Sequence, residues 1–137
     1  MLAYAIAAVL LASAQSVPAA PAANAPLDVE TRLNGVDIAC TGIGLEARAD
    51  PRWGSYGVRI ELSNSRNEYL SDGVITLRDG SGRPLLSARC DAPWLLLRLP
   101  PGRYSVEATL PDAAPRSSAF VAPRTGQLRV VLQFKDL

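Results

Sequence analysis

The run Trp94-Leu-Leu-Leu-Arg-Leu99 constrains this chain more than any other stretch. It is almost unbroken in apolar character and of strand length, which suits a strand covered on both faces. Pro100-Pro101-Gly102-Arg103 follows and predicts a type II turn, with Pro101 presetting φ and Gly102 taking the positive φ. Beyond it Tyr104, Val106, Ala108 and Leu110 alternate with Ser105, Glu107 and Thr109, the period of a half-buried strand. The sequence therefore predicts a hairpin around which the remaining strands assemble.

The same alternation recurs along the chain. Val36, Ile38 and Cys40 fit a short strand after a turn at Leu33-Asn34-Gly35-Val36. Val58, Ile60 and Leu62 face inward in a strand over 56–62, with Arg59 and Glu61 outward. A strand over 69–79 ends in the hairpin signal Asp79-Gly80-Ser81-Gly82, and 84–89 returns from it. A short edge strand over 118–121 precedes Leu128, Val130, Leu132 and Phe134, the inner face of a last strand. Residues 45–53 fit a helical turn interrupted at Asp50-Pro51. About seven short strands at roughly 8–12-residue spacing predict an all-β, antiparallel, seven-stranded sandwich with an irregular N-terminal segment.

The first residues set the compartment. Leu2–Ala12 is an apolar run of eleven residues, shorter than the roughly 20 that span a bilayer. Ala12-Ser13-Ala14 follows with the small-x-small pattern of a cleavage site. Residues 1–14 are expected to be a signal peptide, 15–28 an Ala/Pro-rich linker, and 29–137 the sandwich domain. The expected location is periplasmic or secreted, with no integral membrane span in the mature form. Net charge is +1, with no charged side chain before Asp28. Near-neutrality offers nothing to nucleic acid. Histidine is absent, which removes Ser-His-Asp and Cys-His nucleophiles and histidine-metal sites. No cofactor or metal is expected. Thr41-Gly42-Ile43-Gly44 lacks the Lys and the strand-helix frame of a phosphate loop and reads as a backbone loop.

Two cysteines, Cys40 and Cys90, remain. In an exported protein an even count favours a disulfide, closing a loop of about 50 residues worth on the order of 4 kcal/mol. Two buried thiols or a redox pair are the rival readings, although the Cys-x-x-Cys spacing of a redox pair is missing.

Asp72-Gly-Val-Ile-Thr-Leu-Arg-Asp-Gly-Ser-Gly-Arg-Pro-Leu-Leu86, Ala92-Pro-Trp-Leu95 and Leu99-Pro-Pro-Gly-Arg-Tyr-Ser-Val106 together resemble the carboxypeptidase regulatory-like domains, in particular small exported proteobacterial proteins. The resemblance spans about residues 35–135, and Pro93-Trp94 and the Leu-Pro-Pro-Gly-Arg-Tyr turn carry most of it. It implies a transthyretin-like sandwich with no catalytic residues to carry over. Related catalytic folds depend on histidines that this chain lacks.

The function expected is a non-catalytic periplasmic module that binds a protein or envelope component. Arg52, Trp53, Tyr56 and Tyr69 are the candidate contact residues, since Arg and aromatic side chains anchor interfaces; the alternative for each ring is core packing. A second reading is a cell-wall glycan-binding module, with Trp53 and Tyr69 stacking on sugar beside Arg52, Asn67 and Glu68. A carboxylate enzyme would draw on Glu46, Asp50, Glu61, Asp72, Asp79 and Asp91, but no spacing pairs them for acid-base work, and each fits a turn or a solvated face. The chain is read as not an enzyme.

Overall fold

A computed structural model describes residues 21–135 and residue 137. The expected signal peptide and the start of the linker lie outside the described residues. Within them the strands are β1 (Ala23–Asn24), β2 (Glu30–Leu33), β3 (Val36–Thr41), β4 (Val58–Asn64), β5 (Gly73–Asp79), β6 (Pro84–Cys90), β7 (Trp94–Arg98), β8 (Gly102–Thr109), β9 (Arg116–Ala122) and β10 (Leu128–Phe134). A one-turn helix α1 (Leu45–Arg48) and a 3₁₀ turn (Pro51–Ser55) lie between β3 and β4. The strands form two five-stranded sheets, β1-β6-β5-β8-β9 and β10-β4-β7-β3-β2. Their inner faces enclose one core, in which Ile38, Ile60, Leu62, Leu95 and Leu97 of one sheet join Ile75, Leu77, Leu86, Val106 and Ala108 of the other.

The architecture is all-β and sandwich-like, with two departures from expectation. Ten strands replace seven, and the sheets are mixed: β1 runs parallel to β6, and β4 parallel to β10. The uncounted β2 is the first arm of a hairpin whose turn residues Asn34 and Gly35 both have positive φ, 49° and 80°, as a type I′ turn requires. Its residues Glu30-Thr31-Arg32 carry no apolar alternation, so the turn is visible in the sequence and the strand is not. The parallel edge follows from a change of sheet. The chain leaves β9 in one sheet and reaches the edge of the other beside the start of β4, where Leu128 N donates to Gly57 O at 2.8 Å.

The central hairpin is corrected in the same way. β7 pairs with β3 and β4 in one sheet, while β8 pairs with β5 and β9 in the other. Pro100–Gly102 is thus an arch between sheets, fastened by Tyr104 Oη donating to Pro100 O at 2.8 Å. A strand with both edges occupied has none left for its successor. The expected cover on both faces of β7 is present: Leu95 and Leu97 point into the main core, and Leu96 packs outward with Ala39, Trp53 and Tyr56 in a second small cluster. The strand expected over 69–79 begins only at Gly73. Asp72 before it has φ 65°, and Tyr69 makes an isolated bridge with Ser63.

Cys40 and Cys90 form a disulfide, 50 residues apart in sequence. It ties the end of β3 to the end of β6 across the sandwich. Linker residues also join the fold: Ala25 N donates to Arg89 O, and Leu27 bridges to Cys40.

Candidate functional site

The outer face of the β10-β4-β7-β3-β2 sheet carries most of the residues singled out in the sequence. Register defines its rows. Glu30, Ala39, Leu96, Arg59 and Arg129 align across five strands, and Thr41, Trp94, Glu61 and Val131 align in the next row. The segment between β3 and β4 folds over this face. Asp50 accepts from Arg52 N at 2.9 Å to start the 3₁₀ turn, and Pro51 suits a first helical position. The turn brings Trp53 and Tyr56 down onto Ala39 and Leu96.

Of the four candidate contact residues, Trp53 and Tyr56 are buried and Tyr69 is 38% exposed. Arg52 lies over the Trp53 ring, 4.4 Å from its centroid, and is held by Asp50 at 2.8 Å. This pairing holds the Asp50 carboxyl below its ordinary pKa, chiefly through the Arg52 side-chain hydrogen bond. Tyr56 meets Trp53 edge-on at 6.1 Å, donates to Glu30 Oε1 at 2.9 Å, and lies under Arg98 at 4.0 Å. Burial, then the Glu30 hydrogen bond, pushes its phenol up to about 12. Tyr69 sits apart from this group, edge-on to Trp94 at 6.2 Å, with Arg48 at 4.7 Å over its ring. Trp53 and Tyr69 therefore pack against different neighbours, and each has a guanidinium over its ring. Asn67 and Glu68 belong to the turn after β4, where Glu68 pairs with Arg66 at 2.6 Å.

Glu61 is the residue that sequence reasoning placed on the correct face but in the wrong environment. Its side chain is 1% exposed, with Arg129 Nε at 2.6 Å from one carboxylate oxygen and Arg59 Nε at 2.9 Å from the other. The Arg59 contact is at ion-pair distance but off the line of a hydrogen bond. Arg59 also stacks on Trp94 at 4.2 Å. Alternation alone marks Arg59 and Glu61 as outward; it carries no sign that outward is also covered. The neighbouring Asp91 carboxyl raises the Asp72 carboxyl above its usual range, through side-chain hydrogen bonding first and its charge second. Asp79 caps its hairpin, accepting from Ser81 and Arg83.

The surface feature absent from the sequence reading is aliphatic. Leu27 (45% exposed), Val29 (49%), Ile43 (55%) and Leu45 (81%) stand on two segments flanking the end of β3. Both segments are clamped. Asp28 N donates to Cys40 O at 2.8 Å, and Thr41 Oγ1 donates to Asp28 Oδ1 at 2.6 Å. On the other segment Arg48 Nε donates to Gly42 O at 2.8 Å. A glycine is needed at 42, where φ is 108° and a Cβ would sit 2.7 Å from Trp94 Cγ. The signal in the sequence was the apolar pair Ile43 and Leu45 within a glycine loop.

No protein-family model and no curated protein matches this chain.

Proposed function

We propose that this chain is a non-catalytic, exported β-sandwich module that binds a protein in the periplasm through the aliphatic patch at the end of β3. A transthyretin-like, carboxypeptidase regulatory-like ancestry is part of the proposal, supported by the Pro93-Trp94 and Leu99-Pro-Pro-Gly-Arg-Tyr motifs. The disulfide supports an oxidising compartment.

The observation that carries the reading is the presentation of Leu27, Val29, Ile43 and Leu45. Four exposed aliphatic side chains sit on two backbone segments already held by hydrogen bonds and next to the disulfide. Such a patch loses little conformational entropy on docking, and grouped exposed apolar side chains mark interaction sites. Arg48 and the exposed part of Tyr69 belong to the same loop system and suit an interface rim. A protein suits this surface better than a glycan, because sugar stacking needs an open ring face, and Trp53 is buried while Tyr69 has one face covered by Arg48 and its edge against Trp94.

The test is a crosslinking pull-down from periplasmic extract, comparing the native protein with Leu45→Glu and with Val121→Glu on the far sheet. The proposal expects one reproducible partner captured by the native and Val121→Glu proteins and lost with Leu45→Glu. Equal capture by all three would reject the patch. A tryptophan-fluorescence response to a cell-wall glycan, with no protein captured, would favour the glycan reading instead.

A further inference from the structure

A second surface, at the other end of the same sheet, has different chemistry. A cleft of 350 Å³ lies between the end of the 3₁₀ turn, the arch after β7 and the loop 123–126. Arg98 and Arg124 line it, and no acidic residue does. Arg98 is fixed in place: it stacks on the Tyr56 ring at 4.0 Å and its Nη2 donates to Ser55 Oγ at 2.6 Å. Its Nη2 and Nη1 also donate to the carboxylates of Glu30 and Asp37, at 3.3 and 3.4 Å. Arg124, Thr125 and Gly126 make no hydrogen bond or ion pair to another described residue. Their guanidinium, hydroxyl and amide donors remain available.

The frame of the cleft is hydrogen-bonded although Arg124, Thr125 and Gly126 are not. Gln127 Nε2 donates to both Trp53 O and Tyr56 O, at 2.9 and 3.0 Å. These bonds tie the loop 123–126 to the end of the 3₁₀ turn through the next residue in the chain. The cleft presents the unpaired Arg124 guanidinium, several neutral donors, and an edge of Arg98, whose terminal nitrogens it shares with Glu30, Asp37 and Ser55. A guanidinium fork matches the oxygens of a phosphate, whose third oxygen and higher charge can also use the neutral donors beside Arg124. The volume also exceeds that of a bare ion and leaves room for an organic substituent.

We propose that this cleft binds a phosphate group carried on a small organic ester or a lipid headgroup, with Arg124 and Arg98 as the charged ligands. The site is separate from the aliphatic patch, so either can fail without the other.

The experiment is an amide NMR titration of the 15N-labelled, disulfide-bonded protein at constant ionic strength. The probes are inorganic phosphate, glycerol 3-phosphate, and vesicles of phosphatidylglycerol in phosphatidylcholine. The expected result is saturable shifts confined to residues 54–57 and 124–127. Glycerol 3-phosphate as the tighter probe would identify a soluble ester, and vesicle binding that depends on Arg124 would identify a headgroup. Arg124→Gln should weaken binding about tenfold or more, as loss of a charged hydrogen-bond donor does. Gly54→Asp should abolish it: a Cβ there meets nothing within 4 Å, so the fold is kept while a carboxylate enters the cleft. Shifts that never saturate, that scatter over all arginines, or that survive Arg124→Gln unchanged would overturn the proposal.

Discussion

Replacing Glu61 by Ala is expected to be among the most damaging changes on the outer face of the β4 sheet. Arg59 and Arg129 are direct neighbours across the parallel β4–β10 pair, and Glu61 holds both. Like charges side by side on a sheet repel, so losing the carboxylate removes two attractions and exposes one repulsion. The two arginines do not suffer equally. Arg129 is 57% exposed and returns to water, at a loss of less than about 1 kcal/mol. Arg59 is 25% exposed and is pinned against Trp94, so it keeps a partly buried charge with no counter-ion. Breaking a buried pair from one side costs about 3–5 kcal/mol; with Arg59 partly hydrated, about 3 kcal/mol is expected. For a domain of this size that lowers Tm by about 10 °C. The assay is urea and thermal unfolding at neutral pH followed by circular dichroism and tryptophan fluorescence. The double variant Arg59→Leu, Glu61→Leu should recover most of the loss, because an apolar pair needs no counter-ion. A Glu61→Ala protein within about 1 kcal/mol of native, or a double variant worse than the single, would refute the reasoning.

Three further outcomes follow from the same geometry. Removing the disulfide with Cys40→Ser, Cys90→Ser should cost about 4 kcal/mol by reopening a 50-residue loop in the unfolded chain, read as a shift in the urea midpoint that reductant reproduces in the native protein. The Tyr56 phenol, raised to about 12, favours its neutral form in the folded state. It contributes roughly 3 kcal/mol that is fully present below pH 10 and lost as pH rises towards 12; alkaline titration at about 295 nm should lose its highest-pH component in Tyr56→Phe. Gly42→Ala places a Cβ 2.7 Å from Trp94 Cγ at a φ of 108°, and should cost about 2 kcal/mol with a changed Trp emission spectrum.

Local patterns were legible where one physical rule acts alone. The Asp79-Gly80-Ser81-Gly82 hairpin, the break at Asp50-Pro51, and the inward faces of β4, β8 and β10 all appear as the alternation and turn residues predict. What the sequence concealed was which sheet each strand joins. The step from β7 to β8 has a tight turn and two good strands, yet it crosses the sandwich, because the apolar character of β7 reports two covered faces and says nothing of its two occupied edges. Glu61 shows the same gap from the other side. A carboxylate at an outward position reads as solvated until Arg59, Arg129 and the cross-strand Trp94 are placed around it. Among the candidate contacts, aromatic identity drew attention to Trp53 and Tyr56, which are buried. The exposed apolar side chains beside the end of β3 are instead Leu27, Val29, Ile43 and Leu45, ordinary aliphatics on segments held by the clamps at Asp28 and Gly42.

The most direct test of the binding claim is photocrosslinking in living cells from a benzophenone side chain placed at position 45, with position 121 on the opposite sheet as the control. A discrete protein adduct from position 45, absent from position 121 and lost when Leu27 and Ile43 are changed to Glu, is the result predicted. No adduct from position 45, or the same adducts from both positions, would contradict the assignment of the aliphatic patch as the contact surface.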